Sequence, residues 1–318
     1  MKSLISSIQA AQQAIKQVVI GQDHVIDLMF IALLANGHII LESVPGSGKT
    51  KLAKSLAKVI KGQFSRVQFT PDVLPSDVTG IQFFNPKTKE FEMRTGPAMT
   101  NLLLADEINR ATPKTQSSLL EVMEENQLTI DGETLFVPSP FLVIATQNPV
   151  ENNQGTFPLP EAQLDRFLFK VNLDYPEHAE EKAILSSYQE RDPFHDLSYS
   201  LKTEDIVELQ GKVNNVTFSD ILKDYLLALV RESRQHPDVR LGASTRAALA
   251  LMKASRAQAL LQERAYVVPQ DVKDLAPYVL EHRLVLSMEG AIRRTKKEVA
   301  LEIIQGIEVP VEVGSYER

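Results

Sequence analysis

The segment HIILESVPGSGKTKLAKSL, residues 38–56, concentrates residue types that can bind an anion. An apolar run leads into Ser43-Val44-Pro45-Gly46-Ser47-Gly48-Lys49-Thr50, and helical periodicity starts directly behind it. Strand, glycine-rich turn and helix in that order aim backbone N–H groups at one point, where a polyphosphate can be cradled. Pro45, Gly46, Ser47 and Gly48 form the wrapping loop, and the two glycines allow close backbone approach because they lack a Cβ. Lys49 supplies a cation for the β and γ phosphates of a nucleotide, and Thr50 a hydroxyl for Mg²⁺. Ser43 stands where the general pattern of such loops has its first glycine.

A phosphate loop needs a metal ligand and a base before anything is hydrolysed. The stretch NLLLADEINR reads as an apolar strand ending in Asp106-Glu107. Asp106 is placed to hold the Mg²⁺ shell, and Glu107 to polarise an attacking water. A third strand, FLVIATQNP, ends at Thr146-Gln147-Asn148-Pro149, where the Asn148 amide can orient water and sense the terminal phosphate. The histidines are His24, His38, His178, His195, His236 and His282; none pairs at metal-ligand spacing, and no Ser-His-Asp arrangement is visible.

The elements that must position these residues follow from periodicity. Leu4, Ile8, Ala11, Ile15 and Val18 predict an amphipathic amino-terminal helix rather than a targeting segment. A helix is expected from about Gln22 to Asn36, another through Leu52, Leu56, Val59 and Ile60, and a third from Pro113 to Glu125. Strands are expected at His38–Glu42, Arg66–Phe69, Asn101–Ala105 and Phe141–Thr146. Short apolar strands alternating with helices predict an α/β core with a mostly parallel sheet. Two hairpins interrupt it, Ile81–Arg94 and Leu128–Val137, the second around an Asp131-Gly132 pair that suits a type I′ turn. Past Tyr175-Pro176 the pattern turns helical, with one further strand expected at Ile307–Val313. A core over residues 1–175 and a smaller helical domain over 176–318 are therefore expected.

Composition sets outer limits. The 318 residues include 34 basic and 41 acidic ones, a net charge of −7, which disfavours a nucleic-acid reading without excluding a local basic patch. There is no cysteine, which removes disulfides and thiolate chemistry and fits a reducing compartment. The longest apolar stretch, Leu28–Leu41, is broken by Asn36, Gly37 and His38 and is too short for a bilayer. A cytoplasmic protein without membrane insertion is expected.

In combination, the segments VVIGQ, ESVPGSGKT, LLADEINRATPKTQSSLLEVMEE, QLTIDGETLFVPSPFLVIATQNP, GTFPLPEAQLDRFLFKV and LGASTRAALALMKASRAQAL resemble the AAA+ ATPases, and more narrowly the MoxR family, over most of the chain. The resemblance implies an ATP- and Mg²⁺-dependent αβα core with a helical lid, assembled into a homo-oligomeric ring, usually a hexamer. By the same resemblance Arg166 looks like an arginine finger reaching a neighbouring subunit, with Arg110 competing for that role. Arg246 looks like the lid arginine, with Arg240 a weaker candidate, and Val19-Ile20-Gly21-Gln22 looks like the segment packing against adenine. The hairpin at Ile81–Arg94 looks like the insertion in the second core helix that marks this branch of the class, and Leu128–Val137 looks like its pre-sensor hairpin. The implied function is chaperone-like remodelling, assembly or maturation of a client or adaptor protein, often one with a von Willebrand factor A domain. A nucleic-acid motor on the same core is the alternative, kept open by Lys87, Lys89 and Arg94; a small-molecule kinase fits the arginine pattern poorly.

Overall fold

In the computed structural model, residues 2–44, 46–148, 155–189, 191–198 and 200–310 are described. The chain begins with α1 (Lys2–Val18) and α2 (Asp23–Leu34), then β1 (Ile39–Ser43), α3 (Lys49–Val59), β2 (Ile60–Lys61) and β3 (Phe64–Gln68). There follow α4 (Pro75–Thr79), β4 (Gly80–Asn85), β5 (Glu90–Thr95), β6 (Leu102–Asp106) and α5 (Pro113–Glu125). Next come β7 (Gln127–Ile130), β8 (Glu133–Phe136), β9 (Leu142–Gln147), α6 (Glu161–Leu164), β10 (Phe169–Leu173) and α7 (His178–Ser187). The remainder is β11 (Leu201–Lys202), α8 (Thr203–Val213), α9 (Asp220–Gln235), β12 (Val239–Leu241), α10 (Thr245–Leu261), α11 (Pro269–Leu280), β13 (Val285–Leu286), α12 (Met288–Arg293) and α13 (Lys296–Gly306).

Five strands form one sheet in the order β10-β1-β9-β6-β3, and every neighbouring pair is parallel. Both faces are covered, which explains why these strands read as continuous apolar runs rather than alternating ones. One face presents Ile40, Val67, Leu103, Ala105, Val143 and Ala145 to Leu119, Leu120 and Met123 of α5. The intervening residues Ile39, Leu41, Leu102, Leu104, Ile144 and Phe169 point the other way and are equally buried. Burying one such side chain contributes about 1.5–3 kcal/mol. Nine of the twelve residues of α2 are buried, so this helix is apolar on nearly all sides and belongs to the interior.

Local signals set several boundaries. Pro113 starts α5, where a missing N–H costs nothing, and Asn126 ends it in the left-handed conformation at φ 51°. In the β7–β8 hairpin Asp131 and Gly132 both take positive φ, 48° and 91°, as a type I′ turn requires. The β4–β5 hairpin is registered Gly80 to Thr95 through Asn85 to Glu90.

Two units divide the chain at Gly211–Lys212, inside α8. The break expected near Tyr175-Pro176 is a local one: the chain beyond it returns to the first unit. Leu201 pairs with Ile60, Ser200 N–H donates to the Val59 carbonyl at 2.9 Å, and Lys58 Nζ donates to the Phe194 carbonyl at 2.6 Å. The second unit is helical. In it Asp271, 2% exposed, caps α11 through the Val268 N–H and takes both arms of the Arg264 guanidinium at 2.6 and 2.8 Å. That bidentate pairing holds Arg264 more strongly protonated than usual. The strand expected at Ile307–Val313 is a correction: residues 307–310 form none, consistent with Pro310, which has no N–H for a ladder, and 311–313 lie outside the described residues. Ile60 likewise leaves the helix expected for it and opens β2. Among the described residues no helix is long and apolar enough to cross a membrane.

His38 fastens α5 to the sheet. Its Nδ1 accepts the Val143 N–H at 3.0 Å, and its Nε2 lies 3.0 Å from the Met123 carbonyl, so Nε2 carries the proton. Burial lowers its pKa to about 4, against a small opposing effect of the Met123 bond. The unfolded chain takes up this proton near pH 6.5 and the folded one does not, so stability is full above pH 6.5 and falls between 6.5 and 4. The loss reaches on the order of 3 kcal/mol. Denaturant midpoints should therefore fall more steeply from pH 7 to 4.5 in the natural protein than in His38→Gln; equal slopes would refute this assignment.

Candidate active site

The loop after β1 leaves the sheet between β9 and β10, at the carboxyl ends of the strands, where open parallel sheets bind their ligands. Gly46 and Gly48 have φ of 84° and 85°, and Gly48 is the N-cap of α3. A Cβ at either would meet nothing within 4 Å, so it is the backbone conformation that calls for glycine. The hydroxyls of Ser43 and Ser47 are buried without hydrogen-bond partners. Unsatisfied buried donors in a glycine-rich turn, with Lys49 and Thr50 on the first turn of α3, are a donor set that fits a polyphosphate. Pro45 lies outside the described residues.

Across the sheet, Asp106 closes β6 and is 6% exposed. Its Oδ1 accepts from the Thr146 hydroxyl at 2.6 Å, and its Oδ2 from Arg66 Nη2 at 2.6 Å. Glu107 sits in the left-handed region at φ 56°, which turns it out of the strand at a cost of about 1 kcal/mol. Its N–H donates to the same Thr146 hydroxyl at 2.9 Å. Its Oε2 accepts from Gln68 Nε2 at 2.9 Å and lies 3.1 Å from Arg110 Nε. Thr146, fully buried on β9, thus fixes both members of the acidic pair at once. Among the described residues no cluster of three or more His, Asp or Glu could hold a metal by itself. Mg²⁺ does not ask for one, because one or two protein oxygens with phosphate and water suffice, and the Thr50 hydroxyl and the Asp106 carboxylate are oxygen donors of the kind it takes.

The remaining sequence-predicted residues fall as follows. Asn148 follows β9 and is 4% exposed. Arg166 lies between α6 and β10, where its guanidinium pairs with Glu124 of α5 and donates to the Leu120 carbonyl at 3.2 Å. Ile20 and Gly21 form the turn between α1 and α2, with Gly21 at φ 83° and Glu180 packed against it. Arg246 is an exposed residue in the first turn of α10, behind the N-cap Ser244, and Arg240 is exposed on β12; both belong to the second unit.

Three partners of the acidic pair escaped the sequence reading: Arg66, Gln68 and the hydroxyl of Thr146. Arg66 and Gln68 are two apart on β3, hence on one face of the sheet. The register sets Gln68 opposite Asp106. Polar residues at alternate positions in FSRVQF were the available signal, but only the strand order shows what they face.

A phosphate loop on a parallel αβα sheet, an acidic pair on a neighbouring strand and a helical second unit define the AAA+ class of ATPases. The family model described as ATPase family associated with various cellular activities (AAA) matches residues 38–169, and the AAA lid domain model matches residues 231–303. The chain is 50% identical over 303 residues to the uncharacterized protein YeaC of Bacillus subtilis, covering 95% of this chain and 94% of that protein. It is 41% identical over 316 residues to the chaperone MoxR1 of Mycobacterium tuberculosis, covering 96% and 83%. A crystal structure from Cytophaga hutchinsonii, provisionally described as an ATPase, superposes with a TM-score of 0.89 at 37% identity over 97% of this chain and 96% of that one. The chain belongs to the MoxR family of AAA+ ATPases.

Proposed function

We propose that this protein hydrolyses ATP at the β1 loop and couples the cycle to remodelling, assembly or maturation of a partner protein. The observation that carries the reading is the single buried hydroxyl of Thr146, which ties the acidic pair together on the strand beside the phosphate loop. The loop amides and Lys49 bind and orient the triphosphate, and Thr50 with Asp106 holds the metal. Bound Mg²⁺ supplies neutralisation of the phosphate charge. Glu107 takes the proton of the attacking water, Asn148 orients that water, and Arg166 acts on the site of a neighbouring subunit in a ring, a hexamer in this reading. Arg246 reports nucleotide state to the lid, and Ile20 and Gly21 contact the base.

A protein partner is favoured over nucleic acid by the β4–β5 hairpin. Phe84 and Phe91 are 52% and 68% exposed and stack edge to face, with centroids 5.5 Å apart. Phe136 on the adjoining hairpin is 76% exposed. The basic residues of the hairpin, Lys87, Lys89 and Arg94, flank Glu90 and Glu92, which interrupt any phosphate-tracking stripe. Exposed aromatics beside mixed charge suit a protein surface, with a von Willebrand factor A domain among the candidates.

The test uses ATPase assays with and without DNA, followed by capture of partners from the native host on a Glu107→Gln chain. Specific capture of a protein supports the reading, and strong stimulation by DNA overturns it. Replacing Phe84 and Phe91 with serine should leave basal hydrolysis and ring assembly within about twofold and abolish capture. Dissociated rings on sedimentation would instead make the hairpin a packing element.

A further inference from the structure

The carboxylate proposed to hold the metal already has a cation. Asp106 Oδ2 accepts from Arg66 Nη2 at 2.6 Å; the Arg66 side chain is 43% exposed and that of Asp106 only 8%. The guanidinium therefore reaches in from solvent to neutralise a carboxylate that would otherwise be buried alone, which is costly. The pair is one link in a closed circuit. Arg66 Nη2 donates also to Gln68 Oε1 at 2.9 Å, Gln68 Nε2 donates to Glu107 Oε2, and the Glu107 N–H returns to the Thr146 hydroxyl, which donates to Asp106 Oδ1.

We infer that Arg66 is the resident counter-ion of Asp106 and that metal binding is an exchange in which Arg66 leaves. The two contacts of Asp106 differ in what they can share with a divalent cation. The Thr146 hydroxyl is neutral and buried, so its bond to Oδ1 persists and keeps the carboxylate aimed. A guanidinium at Oδ2 would lie within a few ångströms of the incoming ion, and like charges at that range repel, the more so where burial limits screening by water. Arg66 has solvent to move into, whereas Asp106 and Thr146 do not. The consequence is selectivity for the complex over the bare ion. With Arg66 in place the carboxylate is neutralised and attracts free metal weakly; the metal enters with the triphosphate, whose own charge offsets the loss of the ion pair. This inference rests on the nucleotide reading of the site and adds to it a residue that sets the metal requirement.

The experiment measures binding, not turnover. A fluorescent, non-hydrolysable ATP analogue is bound to the full chain while Mg²⁺ is titrated, and again in EDTA. In Arg66→Gln the Mg²⁺ concentration at half-saturation should fall about three- to tenfold, the worth of a charge-assisted bond at a partly exposed site. Analogue binding in EDTA should be unchanged or weaker, because a positive charge has been removed. Arg66→Lys, which keeps the charge, should return the metal requirement to within about twofold of the natural protein. An unchanged or higher Mg²⁺ requirement in Arg66→Gln overturns the inference, because Arg66 would then be a bystander or a support that prepares Asp106 for the metal. Failure of the natural protein to bind the analogue at all would overturn the nucleotide reading and the inference with it. The two failures are separated by the natural protein alone.

Discussion

Arg166→Ala should bind ATP as the natural protein does and hydrolyse it about a thousandfold more slowly. In its own chain the guanidinium is held by Glu124 and the Leu120 carbonyl, both on α5, rather than by the phosphate loop or the acidic pair. Truncating it therefore removes a half-exposed ion pair, worth at most about 1 kcal/mol of stability, and the fold should survive. A large kinetic loss with normal binding and normal melting would place its effect in the transition state of a site it does not build in cis. Complementation makes the assignment sharp. In rings mixed with Lys49→Ala chains, an intact Arg166 can meet an intact Lys49 across one kind of interface, and part of the activity should return. Steady-state phosphate release across mixing ratios, with mixed rings verified by mass, measures this. No recovery at any ratio would assign Arg166 a role in cis, and Arg110, which contacts Glu107, would be the next candidate for the finger.

The second large effect divides binding from chemistry. Lys49→Ala should all but abolish nucleotide binding if the proposed site is right, because it removes the cation on the first turn of α3 that would face the phosphates. Glu107→Gln should retain binding and lose roughly two to four orders of magnitude in turnover. The structure explains why the amide is a fair substitute for position: Glu107 is held by its backbone, at φ 56° with its N–H on Thr146, and a glutamine in its place would keep both. What is lost is the capacity to take a proton, together with the charge that pairs with Arg110. Equilibrium binding of a fluorescent nucleotide and single-turnover hydrolysis separate the two variants, and natural turnover in Glu107→Gln would remove Glu107 from the mechanism.

Much of this is legible in the sequence. The phosphate loop, the strand ending in Asp106-Glu107 and the Asn148 strand end were readable because each is a local pattern: an apolar run, a turn residue and a helix start within a few positions. Helix α5 was bounded by Pro113 and Glu125, and the type I′ turn at Asp131-Gly132 by its residue types, since φ preferences belong to single residues. The strand β10 is not legible in the sequence, because FLFKV carries no turn signal of its own and is specified by its register on β1, Ile39 to Phe169.

What only the tertiary structure decided is which residues share the site and where the first unit ends. Arg66, Gln68, Asp106, Glu107 and Thr146 come from three strands up to eighty residues apart, and parallel pairing through buried crossovers brings them together. Register is a property of packed faces, so no window along the chain contains it. The same holds for the segment after Tyr175-Pro176. Its helical periodicity marks it as like the second unit, while the pairing of Leu201 with Ile60 and the bonds of Lys58 and Ser200 fasten it to the first. Sequence determined the chemistry each residue can offer; long-range pairing, which is paid for only once the whole sheet forms, determined what each one meets.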